Sequence, residues 1–159
     1  MTKPQLAAVR VALTFAAVAQ LVAGQRLSAQ AAAGSAPITH RVSSGLQWGA
    51  CPPIFPSGCQ IAVLHGDPSK PNADVFLRVP GGYTIPAHSH TSAERMILVE
   101  GQLTVTYKGA AAAVLTPGQY AYGPAGLPHD GHCTGRKACT LFIAFEGPVD
   151  ANVYAGSLK

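Results

Sequence analysis

Charge is scarce in this chain of 159 residues: 11% of positions are Asp, Glu, Lys or Arg, and only seven are acidic. No Lys/Arg cluster interleaves with aromatic residues, so the electrostatic footprint of a nucleic-acid-binding surface is missing. The four cysteines contain no CxxC spacing, which argues against a soft-metal site built on thiolates. No stretch carries a helical period, no segment repeats, and no composition shift marks a second domain. These absences leave a β-rich chain whose few polar residues stand out.

The N-terminus is patterned differently from the rest. Lys3 and Arg10 precede residues 11–24, which are apolar except for Thr14 and Gln20. A small-residue exit follows, with the A-x-A pattern Ala29-Gln30-Ala31. Charged start, apolar middle and small-residue exit describe a secretory signal peptide over residues 1–31. The rival is an uncleaved anchor, but the apolar run is shorter than the roughly 20 residues a span needs. No paired arginines precede it, which favours export of an unfolded chain to a periplasmic or secreted location. All seven acids lie after Ala31, whereas Lys3, Arg10 and Arg26 lie before it. The remaining eight bases against seven acids leave +1 rather than +4, so the basic character belongs to the targeting segment. About 128 residues remain, enough for one domain with a real core.

Cys51, Cys59, Cys133 and Cys139 all fall in that exported part. An even count outside the cytoplasm points to disulfides, with three connectivities open. Local pairing, Cys51–Cys59 and Cys133–Cys139, is favoured. The first pair would close a Pro-rich loop with no regular structure, and the second flanks Thr134–Ala138, which reads as a hairpin turn.

Residues 32–59 read as an arm ending in that loop, with Trp48 as a packing plug beside it. Residues 60–148 carry short strands separated by turn signals: 59–65, 74–79, 95–100, 102–107, 110–115, 119–122 and 140–145. Residues 149–159 read as a surface tail. The pattern predicts an all-β barrel or sandwich.

Two segments concentrate the chemistry. Residues 82–101 hold His88, His90 and Glu94, which share parity and so one face if they lie on a single strand. Residues 118–133 add His129. Two or three imidazoles and a carboxylate converging on one point suit a divalent metal. Taken singly, each segment has a bland reading, a surface pair of histidines or an ordinary Pro-His turn. Taken together they match G(X)5HXH(X)3E(X)6G, from Gly82 to Gly101, and G(X)5PXG(X)2H, through Gly118, Pro124, Gly126 and His129. This resembles the cupin superfamily over roughly residues 60–148, with Cys133 where the family's second motif usually ends in Asn. The resemblance implies a small jelly-roll β-barrel with His88, His90, Glu94 and His129 as metal ligands.

Such a ligand set leaves two cis positions of an octahedron open for substrate, or for substrate and dioxygen. Imidazole-rich sites suit Mn, Fe, Ni, Cu or Zn. Loading outside the cytoplasm favours the tighter-binding ions, but exported cupins include manganese enzymes, so Mn, Fe and Zn stand as equal candidates. The implied function is a metal-dependent enzyme, a dioxygenase or decarboxylase, acting on a small oxygen-rich molecule. A non-catalytic cupin that binds metal or a small ligand is the alternative, and a sugar isomerase is a weaker one. The catalytic residues are unknown. Glu100 and Asp130 are the only further carboxylates in the motifs, one at the rim and one facing away. His132 reads as an exposed loop residue or a proton shuttle, and His40 and His65 as ordinary positions. Tyr107, Tyr120, Tyr122 and Arg95 are the other candidates for lining the barrel. The expected partner is a small molecule, with no nucleic acid and no stable membrane anchor, and a homodimer is compatible with the sequence. N-terminal sequencing of protein from its native host should begin near residue 32, and material beginning at Met1 or Thr2 would overturn the signal-peptide assignment.

Overall fold

The computed structural model describes residues 45–159. The expected signal peptide, the first part of the arm and His40 lie outside the described residues. Every regular element within them is a β-strand: β1 (Gly49–Ala50), β2 (Gln60–His65), β3 (Ala73–Val79), β4 (Thr84–Ser89), β5 (Glu94–Glu100), β6 (Leu103–Tyr107), β7 (Ala113–Leu115), β8 (Tyr120–Gly123), β9 (His129–Cys133), β10 (Cys139–Phe145) and β11 (Asn152–Val153). The strands form two antiparallel sheets, ordered β1-β2-β3-β10-β5-β8 and β11-β4-β9-β6-β7. This is the jelly roll implied by the sequence. Among the described residues no helix is long and apolar enough to cross a membrane.

Period-two alternation fills the space between the sheets. On β6, Leu103 and Val105 are buried while Thr104 and Thr106 are less so. On β5 the buried row is Glu94, Met96 and Leu98, with Ile97 exposed. Val75, Leu77 and Val79 of β3 and Leu141, Ile143 and Phe145 of β10 complete that side of the core. Each such side chain contributes about 1.5–3 kcal/mol through burial, so the apolar rows, not the polar cluster, carry the fold.

Two local expectations need correction. The return after Gly109 is strand only over Ala113–Leu115. The tail read as a surface segment contributes β11, which pairs Asn152 with Ser89 and Val153 with His88 on the edge of β4.

A bulge on β4 sets the direction of the histidines. Ile85 pairs with Gly131, but the next registered pair is His88 with His129, three residues along β4 against two along β9. The extra residue reverses parity, so odd-numbered Ile85 and even-numbered His88 are both buried. Pro86 lies within the bulge, where its missing N–H leaves no gap in the ladder.

Both disulfides are the local ones: Cys51–Cys59, with Cα atoms 5.5 Å apart, and Cys133–Cys139, at 5.8 Å. They fit an oxidising compartment. Gly101, the last motif position of the first segment, sits against the second bridge at φ +87°; a Cβ there would lie 2.5 Å from the Ala138 carbonyl oxygen and 2.9 Å from the Cys139 sulfur. Trp48 is half-buried beneath the Arg78 guanidinium, 4.0 Å from its ring centroid. Losing a native disulfide from a small domain costs about 2–5 kcal/mol. Cys133→Ser should therefore lower Tm in calorimetry by several degrees, while metal content per chain stays unchanged because the bridge lies at the far end of β9 from His129.

Candidate metal centre

His88, on β4, stands directly opposite His129, the first residue of β9. His90 lies one residue beyond β4, and Glu94 opens β5 in the facing sheet, after the turn at 91–93. The three residues of the first motif therefore do not share one strand face, as parity suggested. The turn carries the chain from one sheet to the other, and Glu94 meets the histidines across the core. The second motif is tied to the first through the Gly126 N–H, which donates to the His90 carbonyl at 2.8 Å.

All four side chains are buried, Glu94 to 2% exposure. One ring nitrogen from each of His88, His90 and His129 lies within 4.8 Å of the others, a group able to hold a metal ion. Backbone carbonyls fix the opposite nitrogens. Nδ1 of His88 lies 2.7 Å from the Pro86 oxygen, Nδ1 of His129 lies 3.2 Å from the Leu127 oxygen, and Nδ1 of His90 bonds the Asp150 oxygen. A neutral imidazole that donates through Nδ1 keeps its lone pair on Nε2. Three lone pairs consequently face inward.

The carboxylate closes the set. Glu94 Oε2 is 3.3 Å from His90 Nε2, and Oε1 is 3.1 Å from His129 Nε2. The second contact lacks hydrogen-bond geometry, and Oε1 is buried without a partner. Burial pushes the Glu94 carboxyl up, but contacts with His129 and His90 outweigh it and bring the pKa down to about 2. Burial, with His129 alongside, drops His88 to about 4, so that ring is neutral at pH 7. His90 moves the other way: burial opposes its charge, yet Glu94 and the Asp150 carbonyl together raise it. A cation would satisfy three inward lone pairs and a carboxylate at once.

Each imidazole has an aromatic wall. Phe55 packs edge-on to His88 at 5.2 Å between centroids, Phe145 likewise to His90 at 5.2 Å, and Tyr107 lies tilted against His129 at 5.0 Å. Gly123 on β8 makes room for the cluster; a Cβ there would fall 2.8 Å from Glu94 Cγ and Oε1 and 3.2 Å from the Tyr107 hydroxyl. That hydroxyl is buried without a partner, and burial beside Glu94 holds its proton on well above the usual tyrosine range.

The remaining candidates fall away from the centre. Tyr120 and Tyr122 are 55% and 50% exposed and do not line the barrel, because β8 turns Ala121 and Gly123 inward instead. Arg95 pairs with Glu146 at the surface. His132 is exposed, as expected, but on strand β9, with Nδ1 3.2 Å from Thr84 Oγ1. Glu100 is exposed near Thr140, and Asp130 sits between the buried His129 and Gly131. Sequence reasoning missed Phe55 and Asp150. Besides its carbonyl, Asp150 places Oδ1 3.0 Å from the Thr91 N–H, clasping the turn between His90 and Glu94. No local pattern marks either residue.

Comparison with known proteins agrees with this fold. A family model described as a cupin domain matches residues 75–145. No curated protein matches the chain. Among solved structures, the DMSP lyase DddQ from Ruegeria pomeroyi is similar at TM-score 0.59 and 20% identity, over 70% of this chain and 64% of the lyase. An RmlC-like cupin from Shewanella frigidimarina is similar at TM-score 0.55 and 20% identity, over 70% of this chain and 93% of that one. An oxalate decarboxylase from Bacillus subtilis follows at TM-score 0.51 and 22% identity, over 60% and 27%. The chain thus spans less than two thirds of the lyase and about a quarter of the decarboxylase, and at these identities the likeness bears on the fold. From β3 to β10 the matched segment embraces the core strands and the histidine cluster alike, and this segment of the chain is a cupin domain.

Proposed function

We propose that this protein is a metal-dependent cupin acting outside the cytoplasm, with His88, His90, Glu94 and His129 as the four ligands of one divalent ion. The observation that carries the reading is the arrangement of the imidazoles. Each offers Nδ1 to a backbone carbonyl, so the opposite nitrogens converge within 4.8 Å of one another, those of His90 and His129 each against one oxygen of the buried Glu94 carboxylate. The donor set is three nitrogens and one oxygen, borderline in softness, which suits Mn, Fe or Zn. Bound there, the metal would supply a Lewis acid.

The chain's own residues prepare the site for a small substrate. The carbonyls fix the ring tautomers, the aromatic walls hold the ring planes, and apolar side chains line the rest of the cavity. A dioxygenase or decarboxylase type of reaction on a small oxygen-rich molecule fits this arrangement. The oxalate decarboxylase and DMSP lyase similarities support small-molecule chemistry in this fold without fixing the substrate. Non-catalytic binding is the second reading, favoured by one observation: among the described residues no carboxylate other than Glu94 lies within 4.0 Å of an inner imidazole nitrogen.

Two experiments test the ligand set. His88→Ala or His129→Ala should abolish stoichiometric metal by elemental analysis, His132→Ala should leave it intact, and Glu94→Gln should weaken it while the barrel still melts cooperatively. One ion per chain in the quadruple variant would place the site elsewhere. Gly123→Ala should displace the Glu94 carboxylate, since its Cβ would lie 2.8 Å from Oε1. Overpacking of this kind costs about 1–3 kcal/mol, so a lower Tm and weaker metal binding by calorimetry should appear together.

A further inference from the structure

Among the described residues, two buried side-chain polar atoms have no hydrogen-bond partner: Glu94 Oε1 and the Tyr107 hydroxyl. They face the same glycine. The point that a Gly123 Cβ would occupy lies 2.8 Å from Oε1 and 3.2 Å from the hydroxyl, so any side chain there would press on both. The sheet fixes the hydroxyl in this place. Tyr107 ends β6 in register with His129 on β9, and its ring packs against that imidazole. Its carbonyl accepts from the Ala110 N–H at 3.0 Å, and the next N–H, of Lys108, donates to the Pro128 carbonyl at 2.8 Å. Tyr107 does not line the apolar cavity beside the cluster, so the carboxylate, not that space, is the neighbour of its hydroxyl.

A buried hydroxyl without a partner lowers stability, and a phenylalanine would fill nearly the same volume without that penalty. Such a group calls for a use. A carboxylate that ligates a metal through one oxygen keeps a second one, and the donor to that second oxygen orients the ligand and strengthens binding. A tyrosine hydroxyl is a neutral donor at pH 7, so it can serve Glu94 without bringing another charge into an apolar interior. Resting on the ligand set proposed above, we infer that Tyr107 is a positioning residue: its hydroxyl donates to Glu94 Oε1 once the centre is loaded, and Gly123 keeps the space between them clear. The same group then acts with opposite sign in the two forms. It destabilises the metal-free protein and stabilises the loaded one.

The test compares Tyr107→Phe with the wild type in the full protein, both metal-free and saturated with Zn²⁺. Tm should rise by a few degrees in the metal-free variant, which has lost an unpaired hydroxyl, and fall in the loaded one, which has lost a donor. The Kd for Zn²⁺, read by competition with a chromophoric chelator, should weaken about tenfold, the lower end of the loss such a supporting partner causes. In a Glu94→Ala background the same substitution should change Kd by less than about twofold, because the acceptor is gone. A merely structural role for Tyr107 would move both backgrounds alike. An unchanged Kd in Tyr107→Phe, an equal loss with and without Glu94, or a lower Tm in the metal-free variant each overturns the inference. Failure of the wild type to bind Zn²⁺, or undiminished binding by His88→Ala, overturns the ligand set itself, and this is read before any Tyr107 variant is compared.

Discussion

A carboxylate that is 2% exposed, in an interior with few other polar atoms, is the constraint on which this molecule turns. Removing an ionised carboxylate from water is strongly unfavourable unless it is paired and hydrogen-bonded. Glu94 occupies the first inward position of β5, in the same row as Met96 and Leu98, so the strand's own alternation forces it into the core. Everything around it answers that demand with nitrogen: two imidazoles within 3.3 Å and a third within reach of both.

The histidines are aimed by the backbone rather than by other side chains. His88 and His129 use the same device, with Nδ1 reaching back to the carbonyl two residues earlier, in one case Pro86 and in the other Leu127. Proline or its neighbour appears in both, since Leu127 precedes Pro128, and the residue before proline is confined to extended conformations. His90 sits past the end of its strand and cannot use that device, so a distant carbonyl takes its place. The tautomers are thus set by the course of the main chain, which makes the inner face insensitive to most surface substitutions.

Much of this was legible in the residues. The strand-rich pattern, both local disulfides and the identity of the four clustered side chains all follow from short segments with their own signals. The parity argument for one face was legible too, and wrong, because three residues of turn between His90 and Glu94 are enough to change sheets. The exposure of Tyr120 and Tyr122 was readable in hindsight: their neighbours Ala121 and Gly123 are the small residues that β8 needs opposite Met96 and Glu94. Phe55 and Asp150 were not readable. Each reaches the centre from outside the motifs, Asp150 from 60 residues beyond His90, and a contact of that separation leaves no trace in local composition.

That separation bears on how the centre comes into being. Closing a long stretch of chain costs entropy that only the finished contact returns, and contacts between distant residues tend to form late. The carbonyl of Asp150 and the edge strand β11 both lie C-terminal to every strand of the core. His88 and His129 can therefore be oriented as soon as β4 and β9 pair, while His90 stays free to rotate until the chain past Phe145 has emerged and folded back. Completion of the cluster is in this sense the last event of folding: until residue 150 is in place, the third imidazole has no carbonyl to hold it.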